Sequence, residues 1–216
     1  KQVYDDYKKV IDEIDYLGDE ADFNAFSKFK TVVKYKENPL KQISMFAEFS
    51  SYFNDTKQIR HGSNHIDARI DSYCELHPEL EFVMEDIRKK LNVNIHTTTE
   101  YGESFFPFAE YGNNKIRLTH GKYLSAKAYA EKSRVDTIFG HIHSQQIHVS
   151  PIKSIAYAMP CACKIDPKYM LGLESSWNQG FAILSYYPKI NDYNLEYIIV
   201  KDNKAIYRDK IYYAEV

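Results

Sequence analysis

Apolar residues recur at helical spacing from the start of the chain, where Val3, Tyr7, Val10, Ile11 and Ile14 predict an opening helix ending near Ile14. Ile14-Asp15-Tyr16-Leu17 then reads as a short strand that stops at Gly18, with Asp19-Glu20-Ala21-Asp22 beyond its carboxyl end. Phe23, Phe26, Phe29 and Val33 predict a helix over 23–36 whose other face carries Lys28, Lys30, Lys34 and Lys36. Asn38-Pro39 ends it, because the residue before a proline avoids the helical region. Ile43, Phe46, Phe49 and Phe53 predict the next helix, over 40–53. A short strand over 58–62 turns into Ser63-Asn64-His65, and helices over 66–76 and 79–91 follow, parted by His77-Pro78. Residues 92–114 are less regular, with Gly102, Pro107 and Gly112 as breakers, and predict short strands and a long loop.

A strand over 115–119 ends at His120-Gly121, a helix over 125–133 follows, and a strand over 135–139 runs into Gly140-His141-Ile142-His143. Beyond His148 the pattern changes. Residues 152–159, 180–187, 195–201 and 204–213 are strand-like, with Asp202-Asn203 as a hairpin turn. Strands alternate with helices early and run together late, which predicts a mixed α/β chain with a second sheet from its carboxyl-terminal part.

Composition narrows this little. The 216 residues, 44% hydrophobic and 27% charged, fit one domain over 1–216 with a sizeable core. Lysine plus arginine (28) nearly balances aspartate plus glutamate (30), so no strongly basic or acidic partner is implied by the whole-chain field. No apolar run is long enough to span a bilayer, no signal peptide opens the chain, and no membrane partner is expected. The three cysteines, Cys74, Cys161 and Cys163, make no disulfide framework and point to a reducing, cytoplasmic setting. Cys161-x-Cys163 lacks a second pair to complete a soft-metal site and reads as a buried thiol pair.

The candidate chemistry lies at strand ends. On a strand, alternate side chains face one way, so His141 and His143 can both point into one site, and neutral imidazoles ligate zinc, iron and manganese. Asp19, Asn64-His65 and His120 fall at three other strand ends, where sites of α/β sheets gather. Taken singly each could be a cap or turn residue; four such groups at one topological position point to a metal site.

Gly18-Asp19-Glu20-Ala21-Asp22, Ser63-Asn64-His65-Ile66-Asp67, His120-Gly121 and Gly140-His141-Ile142-His143 together resemble the ordered motifs of the calcineurin-like metallophosphoesterases, particularly phage and bacterial members. The resemblance covers roughly residues 14–181. It implies a four-layer α/β/β/α fold, two mixed sheets packed as a sandwich between helices, and two divalent transition-metal ions, Mn2+ first, with iron, zinc or nickel as alternatives. By it, Asp19 bridges the ions, Asn64, His120 and His141 complete one, His143 binds the other, and a hydroxide shared between them attacks phosphorus. His65 is implied as phosphate binder or general acid, with Arg69 as a phosphate ligand. Ser63 replaces the family's glycine and Ile66 its acid, which leaves Asp67 as the candidate to orient His65. The family's first motif, an Asp-x-His on the first strand, has no counterpart here, and that strand is expected to be truncated or on a separate chain. The implied function is a phosphodiesterase or nuclease acting on DNA or nucleotides, the lysine face over 23–36 being suited to a phosphate backbone. The alternatives are a phosphomonoesterase and a non-catalytic module that binds phosphate or a partner.

Overall fold

Asn38-Pro39 shows how local chemistry places an element. In the computed structural model, Asn38 is extended and its side chain accepts a hydrogen bond from the Leu40 amide at 2.9 Å, capping helix α2 (Pro39–Ser51) with proline in its first turn. The structure describes residues 1–27, 37–91, 96–97, 109–111, 116–165 and 175–214. Their contacts group into two compact units, Tyr7–Pro107 with Lys1, and Gln2–Asp6 with Phe108–Val216.

In the first unit, strands β1 (Glu13–Tyr16), β2 (Lys57–Arg60) and β3 (His96–Thr97) form a parallel sheet in that order. Helices α2, α3 (Asp67–Leu76) and α4 (Glu81–Leu91) supply its core, where Phe23, Ile43, Phe46, Ile66, Ile70, Met84, Ile87 and Leu91 are buried together. The parallel pairing puts the ends of β1 and β2 side by side, at Tyr16 and Arg60. The chemistry-bearing turns 18–22 and 61–66 follow those two ends.

In the second unit, a five-stranded sheet has the order β4-β5-β6-β8-β7, built from β4 (Ala109–Tyr111), β5 (Ile116–Thr119), β6 (Asp136–Phe139), β7 (Gln146–Val149) and β8 (Ile155–Ala158). Its three inner strands are parallel and its edges antiparallel. Helix α5 (Ala126–Lys132) begins at Ser125, whose hydroxyl accepts from the Ala128 amide, and buries Tyr129 and Ala130 against Phe139, Ala156 and Ala158. An antiparallel sheet of four strands follows in the order β12-β11-β10-β9, from β9 (Gln179–Tyr187), β10 (Asp192–Lys201), β11 (Lys204–Tyr207) and β12 (Lys210–Tyr213). Tyrosines of β10 join the two sheets: the Tyr193 hydroxyl donates to Asp136 at 2.7 Å, and that of Tyr197 to the Ala158 carbonyl at 3.0 Å.

Several elements differ from the expectation drawn from sequence. The opening helix α1 (Gln2–Tyr7) ends a full two turns before Ile14, since its apolar stripe is not continued: Val10 is exposed and the chain straightens into β1. No α-helix starts at Phe23. Phe23 takes a left-handed conformation that leads into a single 3-10 turn, Asn24–Phe26, and Ser27 is extended. The Phe23 ring is completely buried and its amide donates to Gln42, so burial overrides local preference. Lys28, Lys30, Lys34 and Lys36, expected on a helix face, lie outside the described residues. The predicted strand over 204–213 is a hairpin, β11 and β12, reversed at Arg208 and Asp209, both with positive φ. Cys163 is exposed, so the two cysteines are not a buried pair.

Candidate metal-binding residues

In the first unit, Gly18 (φ 90°) and Asp19 (φ 61°) turn the chain sharply at the end of β1. Asp19 Oδ1 accepts from the His65 amide at 3.1 Å, which ties the turn after β1 to the turn after β2. His65 Nδ1 lies 2.8 Å from Asp22 Oδ1 and 3.8 Å from Asp19 Oδ2. Arg69 donates to the same Asp22 oxygen at 2.8 Å and to the Asp22 carbonyl. Burial pushes the Asp22 carboxyl upward, but the hydrogen bonds and charges of His65 and Arg69 outweigh it and hold the group below its ordinary value. Asn64 sits, half-buried, on the same turn just ahead of α3.

Asp67 does something else. Both its oxygens face Arg60, at 2.8 and 3.0 Å, and one also accepts from the Ser63 amide at 2.8 Å. A carboxylate at the first position of α3 thus ties the Ser63 amide, before the helix, to a guanidinium that is 1% exposed. Asp22, not Asp67, is the acid against His65, and Arg69 is engaged by that acid. The Glu20 side chain is 3% exposed and lies 3.7 Å from Arg60, and burial raises its carboxyl to about 8. Half-buried Asp15 and buried His61 form a second pair at 2.8 Å. Burial dominates there, lifting Asp15 above its ordinary value despite the His61 hydrogen bond.

In the second unit, His120 follows β5 with 1% of its surface exposed. Gly121 (φ 100°) turns the chain away, and a Cβ there would lie 2.7 Å from the Tyr129 hydroxyl. Strand β6 ends at Phe139. The Ile142 amide donates to the Gly140 carbonyl at 2.8 Å across His141, whose φ is 67°, and His143 has φ 57°. A hydrogen bond spanning one residue of positive φ is the rarer, strained form of the γ-turn. Strand alternation therefore does not apply at these two histidines, and they meet different neighbours. His141 Nδ1 is 3.3 Å from His120 Nε2, the rings crossing at 80°. His143 stands edge-on to Trp177, centroids 4.3 Å apart, and its carbonyl accepts from the Asn178 amide at 3.0 Å.

The 176–178 segment braces the histidine loop a second and third time: Ser144 donates to the Ser176 carbonyl at 2.7 Å and the Gln145 amide to Asn178 Oδ1 at 2.8 Å. Sequence reasoning leaves Asp22 and Trp177 out of the site. Asp22 stands inside the Gly-Asp-x-x-Asp motif, where its spacing was a usable signal; Trp177, the chain's one tryptophan, carries none beyond its uniqueness.

No protein-family model, no curated protein and no solved structure matches this chain. Its function must be argued from its own residues. Among the described residues no helix is long and apolar enough to cross a membrane.

Proposed function

We propose that the chain is a metal-dependent phosphoesterase, and within that class a phosphodiesterase acting on nucleic-acid or nucleotide phosphoesters, with Asp19, Asn64, His120, His141 and His143 serving two divalent ions, Mn2+ first. The observation that supports this most is the His120–His141 pair. Two imidazole nitrogens that each lie about 2.05 Å from one tetrahedral ion are roughly 3.3 Å apart, and the two nitrogens here are 3.3 Å apart. The donor set of imidazole, carboxylate and amide suits manganese, iron or zinc better than a soft ion. The proposed arrangement of sheets is the α/β/β/α sandwich that the motif order implies.

When bound, such ions supply an activated water and neutralise charge on the phosphate. The rest falls to side chains. Asp22 accepts the hydrogen bond from Nδ1–H of His65, and in the protonated imidazole Nε2–H is then the donor that binds a phosphate oxygen or hands its proton to the leaving oxygen. Arg69 keeps Asp22 ionised and so helps fix the orientation of His65. Asp67 keeps the Asn64-His65 turn in place through Arg60 and the Ser63 amide.

Metal content by plasma mass spectrometry, with hydrolysis of bis(p-nitrophenyl) phosphate in added Mn2+, tests this. The expected result is bound transition metal and turnover, both lost in His120→Ala with circular dichroism unchanged. A nitrophenyl nucleotide diester cleaved faster than p-nitrophenyl phosphate supports the diesterase; the reverse order makes the enzyme a monoesterase. A protein with neither metal nor turnover is a phosphate- or partner-binding module, and the proposal fails.

A further inference from the structure

Cys161 and Cys163 play no part in the proposed reaction, yet their surroundings are specific. Cys161 pairs with β9 as a parallel bridge: its amide donates to the Asn178 carbonyl at 2.9 Å, and the Gly180 amide donates to its carbonyl at 3.0 Å. Its sulfur lies 3.5 Å from the Asn178 carbonyl and 3.8 Å from that of Cys163, and the residue is 8% exposed. Cys163 is exposed, and its carbonyl is fixed by the Gln179 side-chain amide at 2.8 Å. Both ends of the Cys-x-Cys segment are therefore tied to the start of β9.

The chain bends at Ala162 and Cys163. Two residues apart even on a fully extended strand, the Cα atoms would be about 6.6 Å from each other, within the roughly 4.4–6.8 Å that a disulfide spans. A hydrogen bond from the Cys163 thiol, helped by backbone amides and opposed by burial, lowers the Cys161 thiol to about 7, which favours its thiolate form.

We propose that Cys161 and Cys163 form a redox-active dithiol that a low-molecular-weight disulfide converts to an intrachain disulfide. The exposed Cys163 thiol gives its proton to the Cys161 thiolate as its sulfur attacks the external disulfide, forming one S–S bond and expelling one thiolate, which then takes that proton from Cys161. The Cys161 thiolate then attacks the Cys163 sulfur, closing the Cys161–Cys163 bond and expelling the second thiol. Two cysteine thiols are oxidised, one external disulfide is reduced to two thiols, and the two protons go to the products. The Cys161 backbone lies against residues 178–180, the start of β9 and the residue before it, and Asn178 also holds the His143 loop through its amide.

The test exposes the full chain to graded mixtures of reduced and oxidised glutathione, traps thiols with an alkylating reagent, and maps the tryptic peptide 154–164, which contains both cysteines and not Cys74. The expected change is loss of both alkylation sites from that peptide and a mass two hydrogens lower, reversed by dithiothreitol, with Cys74 still alkylated. Cys161→Ser is expected to trap glutathione on Cys163, and Cys163→Ser to leave Cys161 reduced. Thiols that stay alkylatable in fully oxidised glutathione, or a wild-type protein that stops at the glutathione adduct of Cys163, overturn the proposal. So does a glutathione adduct on Cys161 in Cys163→Ser, which would make Cys161 the entry point rather than the resolving thiol.

Discussion

Replacing Asp67 by alanine separates a structural carboxylate from a catalytic one. The side chains of Arg60 and Asp67 are 1% and 7% exposed, joined by hydrogen bonds of 2.8 and 3.0 Å. Glu20, 3.7 Å from Arg60, is the other acid in reach, but its carboxyl titrates at about 8 and is mostly neutral at pH 7. Asp67 is thus the principal counter-charge of a buried guanidinium. Breaking such a pair from one side costs about 3–5 kcal/mol, because a buried charge is left behind. The lost hydrogen bond to the Ser63 amide adds about 1 kcal/mol, while Glu20, ionising in the variant, offsets part of the total. We expect a net loss near 3 kcal/mol. Urea unfolding followed by circular dichroism measures it, with amide exchange in β2 and α3 locating it. Replacing both partners by apolar residues, Arg60→Met with Asp67→Leu, is expected to recover most of the loss, since no buried charge remains. A change below about 1 kcal/mol for Asp67→Ala, together with abolished turnover, would refute this reasoning and return Asp67 to the chemistry.

Three further outcomes follow from the same geometry. Trp177 is the chain's one tryptophan and its ring lies 4.3 Å from His143, so a paramagnetic ion held by His143 is expected to quench its emission, and His143→Ala to abolish the quenching; metal binding with unchanged emission would put the ion elsewhere. Glu20 is raised in the folded state from 4.5 to about 8, so the unfolded chain releases its proton first, and the stabilising effect, full below about 4.5, is lost as pH rises through about 8. Glu20→Gln should flatten that decline in a series of urea midpoints between pH 4.5 and 8; an unchanged slope would mean that Glu20 is ionised throughout. A Cβ on Gly180 would lie 2.4 Å from the Ile198 carbonyl and 3.1 Å from Pro160, so Gly180→Ala is expected to force β9 off β10 and lower stability by about 1–3 kcal/mol, read as an earlier thermal transition of Trp177 emission.

Which parts of the fold were legible depended on whether the deciding interaction was local. Asn38-Pro39, Ser125 and the Asp202-Asn203 turn act on their own neighbours, and α2, α5 and the β10–β11 hairpin lie close to where these residues predict. Phe23 was not legible. Its aromatic spacing suits a helix, and what sets its conformation is a core 20 residues and more away in sequence, reached through Gln42 and α2. The reversal at Arg208-Asp209 was invisible for the opposite reason: the left-handed turn is made by residue types that do not advertise it, and the pairing of Ile206 with Ile211 holds it.

The histidine loop shows how a short spacing can serve two places. Had β6 continued through residue 143, His141 and His143 would point the same way and share one neighbour. The strand stops at Phe139, and each histidine takes a left-handed conformation, which turns their side chains apart within three residues. Such a turn is not stable by itself; a positive φ at a residue other than glycine carries strain of about 1–3 kcal/mol. It persists because it is held on two sides: Gly140 donates to the Thr119 carbonyl at the end of β5, and Asn178, Gln145, Ser144 and Ser176 bind it to the segment before β9. His120 lies one residue beyond Thr119, so the same bond that anchors the loop brings His120 up to His141. The pair at 3.3 Å is thus a product of two neighbouring strand ends and one brace, and a substitution anywhere in the brace is a substitution in the site.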